Sequence, residues 1–523
     1  MARKTSDQLF QLIQSLNKNE KRHFKLYMEG LSTVENKKVI QLFNAINKQK
    51  IYDEDQLVER IPELDRKQLP NLKSYLSDKI LQCLRIYASG RVVEIQIRQQ
   101  IDFAQLLFER RIYKTGKEYL NKAKRTAENY ERLELLLEII RIEKSIILDT
   151  IDNENIHLVD QTIKEIKKIN TQISNINLFS SLTLKLEYYF AKIGSVRNEK
   201  DFNDVVEFYK DNVPTIREEN LSESEQIYYF NFQITYNSFI QDFNKNYQYA
   251  TRLLKIFHFN PVLMNTRPGD YLKALHLMLI AEYNLFDYPS FTRSLEELKK
   301  YALLEVVSGD ESLAFRTYKY LYLHEINLYY LEGNFTSGIK ELFGNDTIVR
   351  FIEKTDDHTK LIFYYKIACL YFGSGQYNLS VKWLNKIINE PSSMLREDLH
   401  CFARIVHLIS HYELENFDVI NYYIISTYRF LLKKSDLHSF QKYIIEFLRK
   451  LAKVPDTFQL MQMFQLLKTQ LLPLTESRFE SRAFHYFDII SWLESRIEKK
   501  PVEEIVKRNV TMKISKSKMA AIQ

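Results

Sequence analysis

Two histidines four residues apart, His407 and His411, follow His400 and Cys401 by one to two helical turns. An i, i+4 histidine pair on a helix can hold zinc. The metalloprotease arrangement also needs a glutamate beside the first histidine. Val406, Leu408, Ile409 and Ser410 surround this pair instead, so packing is expected and no metal. Asp356, Asp357 and His358 bring two acids and a base together between helical stretches, where a helix cap is expected. Gly333 to Gly338 has P-loop spacing, but Ile339 stands where the motif requires lysine, and no strand pattern precedes it. Gly373-Ser374-Gly375 starts like a dinucleotide fingerprint, yet Asn378 holds the third glycine's place. The chain therefore offers no catalytic constellation, calls for no cofactor and reads as non-enzymatic. One basic set has a different character. Lys18, Lys21, Arg22 and Lys25 fall on one helical face and could touch phosphate from a helix-turn-helix-like module; a solvated helix face is the plain alternative.

The elements that would carry these residues are helical. Among 523 residues there are 11 glycines and 10 prolines, far fewer than a hairpin-rich β-protein uses. Residues 1–90 carry a net charge of +5, residues 496–523 another +5, and residues 91–495 carry −3. A neutral middle argues against a nucleic acid lying along its whole length, while basic ends leave room for a local anionic contact. Three scattered cysteines, Cys83, Cys369 and Cys401, suit neither a disulfide framework nor a zinc knuckle. No apolar run is long enough to cross a membrane, and the charged first residues have no secretion-type apolar segment behind them. A cytoplasmic protein is expected.

Along the chain, residues 1–90 read as a separate module of short helices. Thr5 with Gln8 and Asn17 with Glu20 have capping-box spacing. From 91 to 435 an aromatic followed three positions later by a small or apolar residue returns about every 40 to 47 residues. Tyr113, Phe202, Tyr247, Tyr288, Phe335, Tyr377 and Phe417 hold that place, with a weaker copy at Ile156. Each lies between two stretches of helical period, as in stacked helical pairs. Residues 436–500, split by Pro455, read as helices that cap the stack. Residues 501–523 form a basic tail expected to lack fixed structure.

The clearest copy runs Tyr364, Ile367, Ala368, Tyr371, then Gly375-Gln376-Tyr377, then Ser380, Leu384, Ile387 and Pro391. The copy at Tyr113 agrees at Ala104, Leu107, Gly116, Leu120 and Ala123. The copy at Phe335 agrees at Tyr322, Tyr329, Gly333, Gly338 and Leu342. This pattern resembles the tetratricopeptide (TPR) repeat, although the period is longer than the family's roughly 34 residues. The segment from Leu9 to Tyr27 also looks like the start of uncharacterised bacterial TPR-like proteins. The resemblance implies an all-α, right-handed solenoid of helical hairpins whose first helices line a concave groove. It puts His407 and His411 at core offsets, and Tyr320, Asn327, Tyr330, Tyr365, Phe372, Phe402 and Tyr412 toward the groove. Aromatic side chains there would anchor a protein or peptide of unknown identity; burial of the same rings as core is the competing expectation. The rival function is a regulator whose first 90 residues bind nucleic acid while the repeats sense a partner.

Overall fold

The computed structural model describes residues 5–30, 34–61, 66–90, 92–149, 156–344, 346–390, 395–434, 437–451 and 457–520. Pro391 and Pro455, expected as helix breakers, lie outside them. Among the described residues the chain is all α-helix with two 3₁₀ turns and no strand. The helices are α1 (Thr5–Ser15), α2 (Lys18–Gly30), α3 (Val34–Asn47), α4 (Glu54–Arg60), α5 (Leu69–Ala88), α6 (Val93–Glu109), α7 (Tyr113–Asn129), α8 (Leu133–Asp149), α9 (Ile156–Ile193), α10 (Glu199–Asn212), α11 (Glu223–Phe239), α12 (Phe243–Phe259), α13 (Val262–Thr266) and α14 (Pro268–Asn284). They continue with α15 (Tyr288–Ala302), α16 (Glu305–Ser308), α17 (Glu311–Glu332), α18 (Phe335–Phe343), α19 (Thr347–Glu353), α20 (Asp357–Gly373), α21 (Tyr377–Ile388), α22 (Glu397–Glu413), α23 (Phe417–Lys433), α24 (Ser439–Leu451), α25 (Thr457–Leu471), α26 (Arg482–Tyr486), α27 (Ile489–Glu498) and α28 (Val502–Ala520). No helix among the described residues is long and apolar enough to cross a membrane.

One turn recurs through the chain and explains its period. Arg111, Glu131, Gln241, Phe286, Gly333, Gly375 and Glu415 all have positive φ. In each case the residue after it donates its N–H to the carbonyl five positions back, as Gln376 does to Tyr371 at 2.9 Å and Asn416 to His411 at 3.0 Å. The next residue then opens a new helix. This is the left-handed helix stop that satisfies the last carbonyls of a helix. Tyr113, Tyr288, Phe335, Tyr377 and Phe417 are those opening residues, as the sequence period predicts. At Tyr247 the expected position is one turn late, because Phe243 opens α12 after Gln241 and Asp242. Phe202 likewise lies inside α10, which Glu199 opens. Ile156 begins α9 directly after residues outside the description.

The small offsets let helices approach. Ala368 and Ser380 are fully buried. A Cβ on Gly116 would strike the Phe108 ring, one on Gly338 the Tyr329 ring, and one on Gly373 the Phe335 ring.

The chain divides into two compact units, Met1–Ile173 and Ser174–Gln523. In the first unit α1 to α5 enclose a core of their own, built on Ile13, Phe24, Met28, Phe43, Leu57, Leu76 and Ile80. The expected module of residues 1–90 corresponds to that core, but α6 to α8 belong to the same compact unit, so the larger division falls near 173. The last 90 residues also depart from expectation. The basic tail forms α28, with Val502, Ile505 and Val506 buried at helical spacing. It packs on the turn between α17 and α18, where a Cβ on Gly333 would strike Lys507 and Val506 and Thr336 donates to Glu503 at 2.5 Å. The closing helices thus return to earlier members of their unit.

Candidate functional site

The groove residues named from the sequence fall into two sets. Tyr365 and Phe372 lie on α20 and Phe402 on α22. All three are buried, with Phe372 and Phe402 only 1% exposed. Their cover is the chain's own residues 478–487. Tyr486 stacks on Phe402 with ring centres 4.3 Å apart, and Phe487 meets Phe372 edge-on at 5.0 Å. The Tyr365 hydroxyl donates to the Tyr486 carbonyl at 3.2 Å. Tyr412, half-buried, packs against Phe464 and Trp492 rather than against these residues. Tyr365, Phe372 and Phe402 are therefore not exposed groove residues; they are buried, as the competing expectation of core packing has it. The reason is a contact from more than 80 residues along the chain, invisible to local periodicity.

The covering segment makes side-chain contacts along its length. Arg478 stacks on Phe202 at 3.5 Å. Glu480 accepts the backbone N–H groups of Ser439 and Phe440, at 2.8 and 3.1 Å, at the start of α24. His485 sits against Phe243 and Phe286, and Phe484 against Phe440. Tyr486 donates its hydroxyl to Asp398. Asp398 also holds the Arg396 guanidinium through two bonds of 2.9 and 2.7 Å. Burial alone would raise the Asp398 carboxyl; the Arg396 charge and hydrogen bonds, with Tyr486, hold it below the usual carboxylate range instead. Gly194, at positive φ, lets Asp398 approach the end of α9, where a Cβ would collide with its carboxylate. Arg396 donates its backbone N–H to Ala191 at 2.8 Å.

The second set, Tyr320, Asn327 and Tyr330, lies on α17 and joins a polar chain. Tyr320 stacks on His276 at 3.7 Å, nearly parallel. His276 meets His324 through ring nitrogens 2.8 Å apart, and Asn327, 5% exposed, meets the other His324 nitrogen at 3.4 Å. Lys366 donates to Asn327 Oδ1 at 2.7 Å and lies over the rings of Tyr283 and Tyr330. The Tyr330 hydroxyl donates to the Lys366 carbonyl at 2.5 Å. Burial pulls the Lys366 ammonium down to about 8, partly offset by the Cys369 thiol. It pulls His324 down to about 3, with Lys366 adding to the effect. Asn327 is thus a buried bridge rather than an exposed peptide contact.

The other candidates hold structural positions. Asp356 caps α20, accepting from the Thr359 N–H at 2.9 Å and its hydroxyl at 2.6 Å. His407 and His411 pack with Tyr423, their Nε2 atoms 3.3 Å apart. Burial, then the neighbouring His411, pulls His407 down to about 3. Gly333 ends α17 in the turn before α18, and Gly338 lies inside α18 against the Tyr329 ring.

Lys18, Lys21, Arg22 and Lys25 come together on α2 in the first unit, around a surface depression of about 490 Å³ that Leu26 and Glu29 complete. The predicted capping box starts the helix: Asn17 accepts the N–H groups of Asn19 and Glu20 at 2.9 Å, and Glu20 accepts that of Asn17 at 2.8 Å. Phe24 and Met28 are buried on the adjoining side of the helix, Phe24 against Phe43.

Sequence reasoning missed the 478–487 segment. The sequence places it inside one long helix from Thr475 to Lys499, whereas the chain there breaks into α26 and α27 with Phe487 extended between them. No family model, curated protein or solved structure matches this chain.

Proposed function

We propose that this chain is a non-catalytic binding scaffold, a right-handed solenoid of TPR-like hairpins that holds an aromatic peptide along its concave face. One observation carries this reading: a segment of the chain itself, residues 478–487, packs against Phe402 and Phe372, the rings that the TPR resemblance would turn toward a ligand. Tyr486 on Phe402 and Phe487 on Phe372 are aromatic anchors of the kind that dominate peptide recognition. The own segment acts as a resident occupant, and a protein partner carrying a similar aromatic stretch competes for the same rings. The titratable groups nearby support a binding role, because Asp398, Asp356 and His407 are engaged in pairing, capping and packing.

The test uses the full chain carrying Tyr486→Ala and Phe487→Ala, with a fluorescent peptide spanning residues 477–490. The variant should bind the peptide saturably. The unaltered chain should bind it at least tenfold more weakly, since a tethered segment competes at an effective concentration near millimolar. Absence of binding to a variant that stays folded by circular dichroism would contradict the reading. So would loss of cooperative unfolding in the variant, because the helices beneath would then depend on the segment to fold.

A further inference from the structure

Beyond the peptide reading, we propose that the α2 face of Lys18, Lys21, Arg22 and Lys25 is a binding site for the phosphate backbone of nucleic acid. At 3.6 residues per turn these four positions fall within one quarter to one third of the helix circumference, and from first to last they rise about 10 Å. That length matches about three phosphates of one strand. They line a single depression, with Leu26, 58% exposed, at its edge. Glu29 is the one acid in the lining, so the site keeps a strong positive excess.

Several other cations of the unit are paired. Lys73 pairs with Glu54, Arg85 with Asp102, Lys124 with Glu143 and Glu165, and Arg132 with Glu94. Among the described residues, none of the four α2 cations has a carboxylate within ion-pair distance. A depression in the second unit shows the contrast. There Arg217, Arg252 and Lys255 are matched by Glu218, Glu219 and Glu223, and Arg252 pairs with Glu218. Of these two depressions, the α2 one keeps its charge available to an outside anion. The helix is also held firmly for such a contact, by its capping box at one end and by Phe24 and Met28 on its adjoining side. The side chains are flexible cations without a bidentate frame, so the site reads backbone charge and not base sequence.

The experiment is fluorescence anisotropy with the full chain, using a labelled 20-base-pair duplex and a labelled 20-nucleotide single strand, from 50 to 300 mM NaCl. Binding should weaken steeply with salt, with a logarithmic slope of about −2.7 for the duplex and about −2.1 for the single strand when three phosphates are neutralised. The triple variant Lys21→Gln, Arg22→Gln, Lys25→Gln should bind at least tenfold more weakly at 50 mM NaCl and show a slope reduced by about two. Circular dichroism should show it folded, since these side chains are exposed or only partly buried. Leu26→Ser should bind within twofold of the unaltered chain. No binding at 50 mM NaCl would overturn the proposal, as would unchanged affinity and slope in the triple variant. Tighter binding to vesicles containing 30% phosphatidylserine, lost in the same variant, would overturn it in favour of a membrane surface.

Discussion

The Tyr486 hydroxyl hydrogen-bonds the Asp398 carboxylate, 88 residues earlier in the chain, and that carboxylate is already paired with Arg396. This bond ties the covering segment to the start of α22. It also makes the segment's hold depend on a buried charge. Tyr486→Phe keeps the ring on Phe402 and removes one charge-assisted bond, so it should cost about 1.5–3 kcal/mol by chemical denaturation. Asp398→Ala should cost more, about 3–5 kcal/mol, because Arg396 is left buried without its partner. In a double-mutant cycle the two changes should couple by more than 1 kcal/mol. Strict additivity would mean that the bond does not hold the segment. Asp398 has its carboxyl held below the ordinary 3.8. Its contribution is therefore complete above that pH and is lost as pH falls further.

Glu282 gives the opposite pH dependence. It is 1% exposed, accepts the Ser294 hydroxyl at 2.9 Å and has Oε2 buried without a hydrogen bond. Burial pushes its carboxyl up to about 7, with Asp287 adding to the effect. A raised folded-state value means that the unfolded chain loses this proton first as pH rises. Stability should therefore fall between pH 4.5 and 7. Glu282→Gln should remove this loss, gaining about 3 kcal/mol at pH 8 and nothing below pH 4. Thermal midpoints of both proteins across this range check it; parallel curves would refute the assignment.

The turns make a third prediction. Arg111 and Glu415 are exposed and hold φ of 60° and 57°. A non-glycine residue costs about 1–2 kcal/mol in this region, and glycine's greater unfolded-state freedom returns part of that. Arg111→Gly or Glu415→Gly should each stabilise by about 0.5–1 kcal/mol, read as a raised thermal midpoint. Destabilisation by both would show that the turn geometry is wrong.

Ala368 tests the packing register. It is fully buried on α20, so Ala368→Leu should overpack and cost about 1–3 kcal/mol. An unchanged midpoint would place it elsewhere.

How far the fold was legible follows the range of the contacts involved. The turns before Tyr113, Tyr288, Phe335, Tyr377 and Phe417 depend on residues within five positions, so their pattern survives in the sequence. Tyr247 misled because Phe243, four positions earlier, is an equally good opening aromatic. Val502, Ile505 and Val506 carried the helical spacing of α28, but the surrounding lysines outweighed it. The burial of Phe372 and Phe402 left no local trace, since what covers them arrives from Tyr486 and Phe487. Asn327 illustrates the same limit. Its burial depends on Lys366 from another helix, which no spacing along α17 encodes. The α2 quartet was legible because one helix carries all four cations.

The central claim is that residues 478–487, although Ala483 and Phe487 are buried in one core with the residues of α20 and α22, release from those helices as a unit without unfolding them. Native-state hydrogen exchange on the intact chain at pH 7 tests it most directly. Ala483, Phe484 and Phe487 donate their backbone N–H groups within the segment itself, to Glu480, Ser481 and Ala483, so local release exposes these amides without unfolding the helices beneath. They should exchange at least 100-fold faster than the amides of Ile367 to Leu370 and Ile405 to Leu408, a gap of about 2.7 kcal/mol. Equal protection in the segment and in α20 and α22 would contradict the claim.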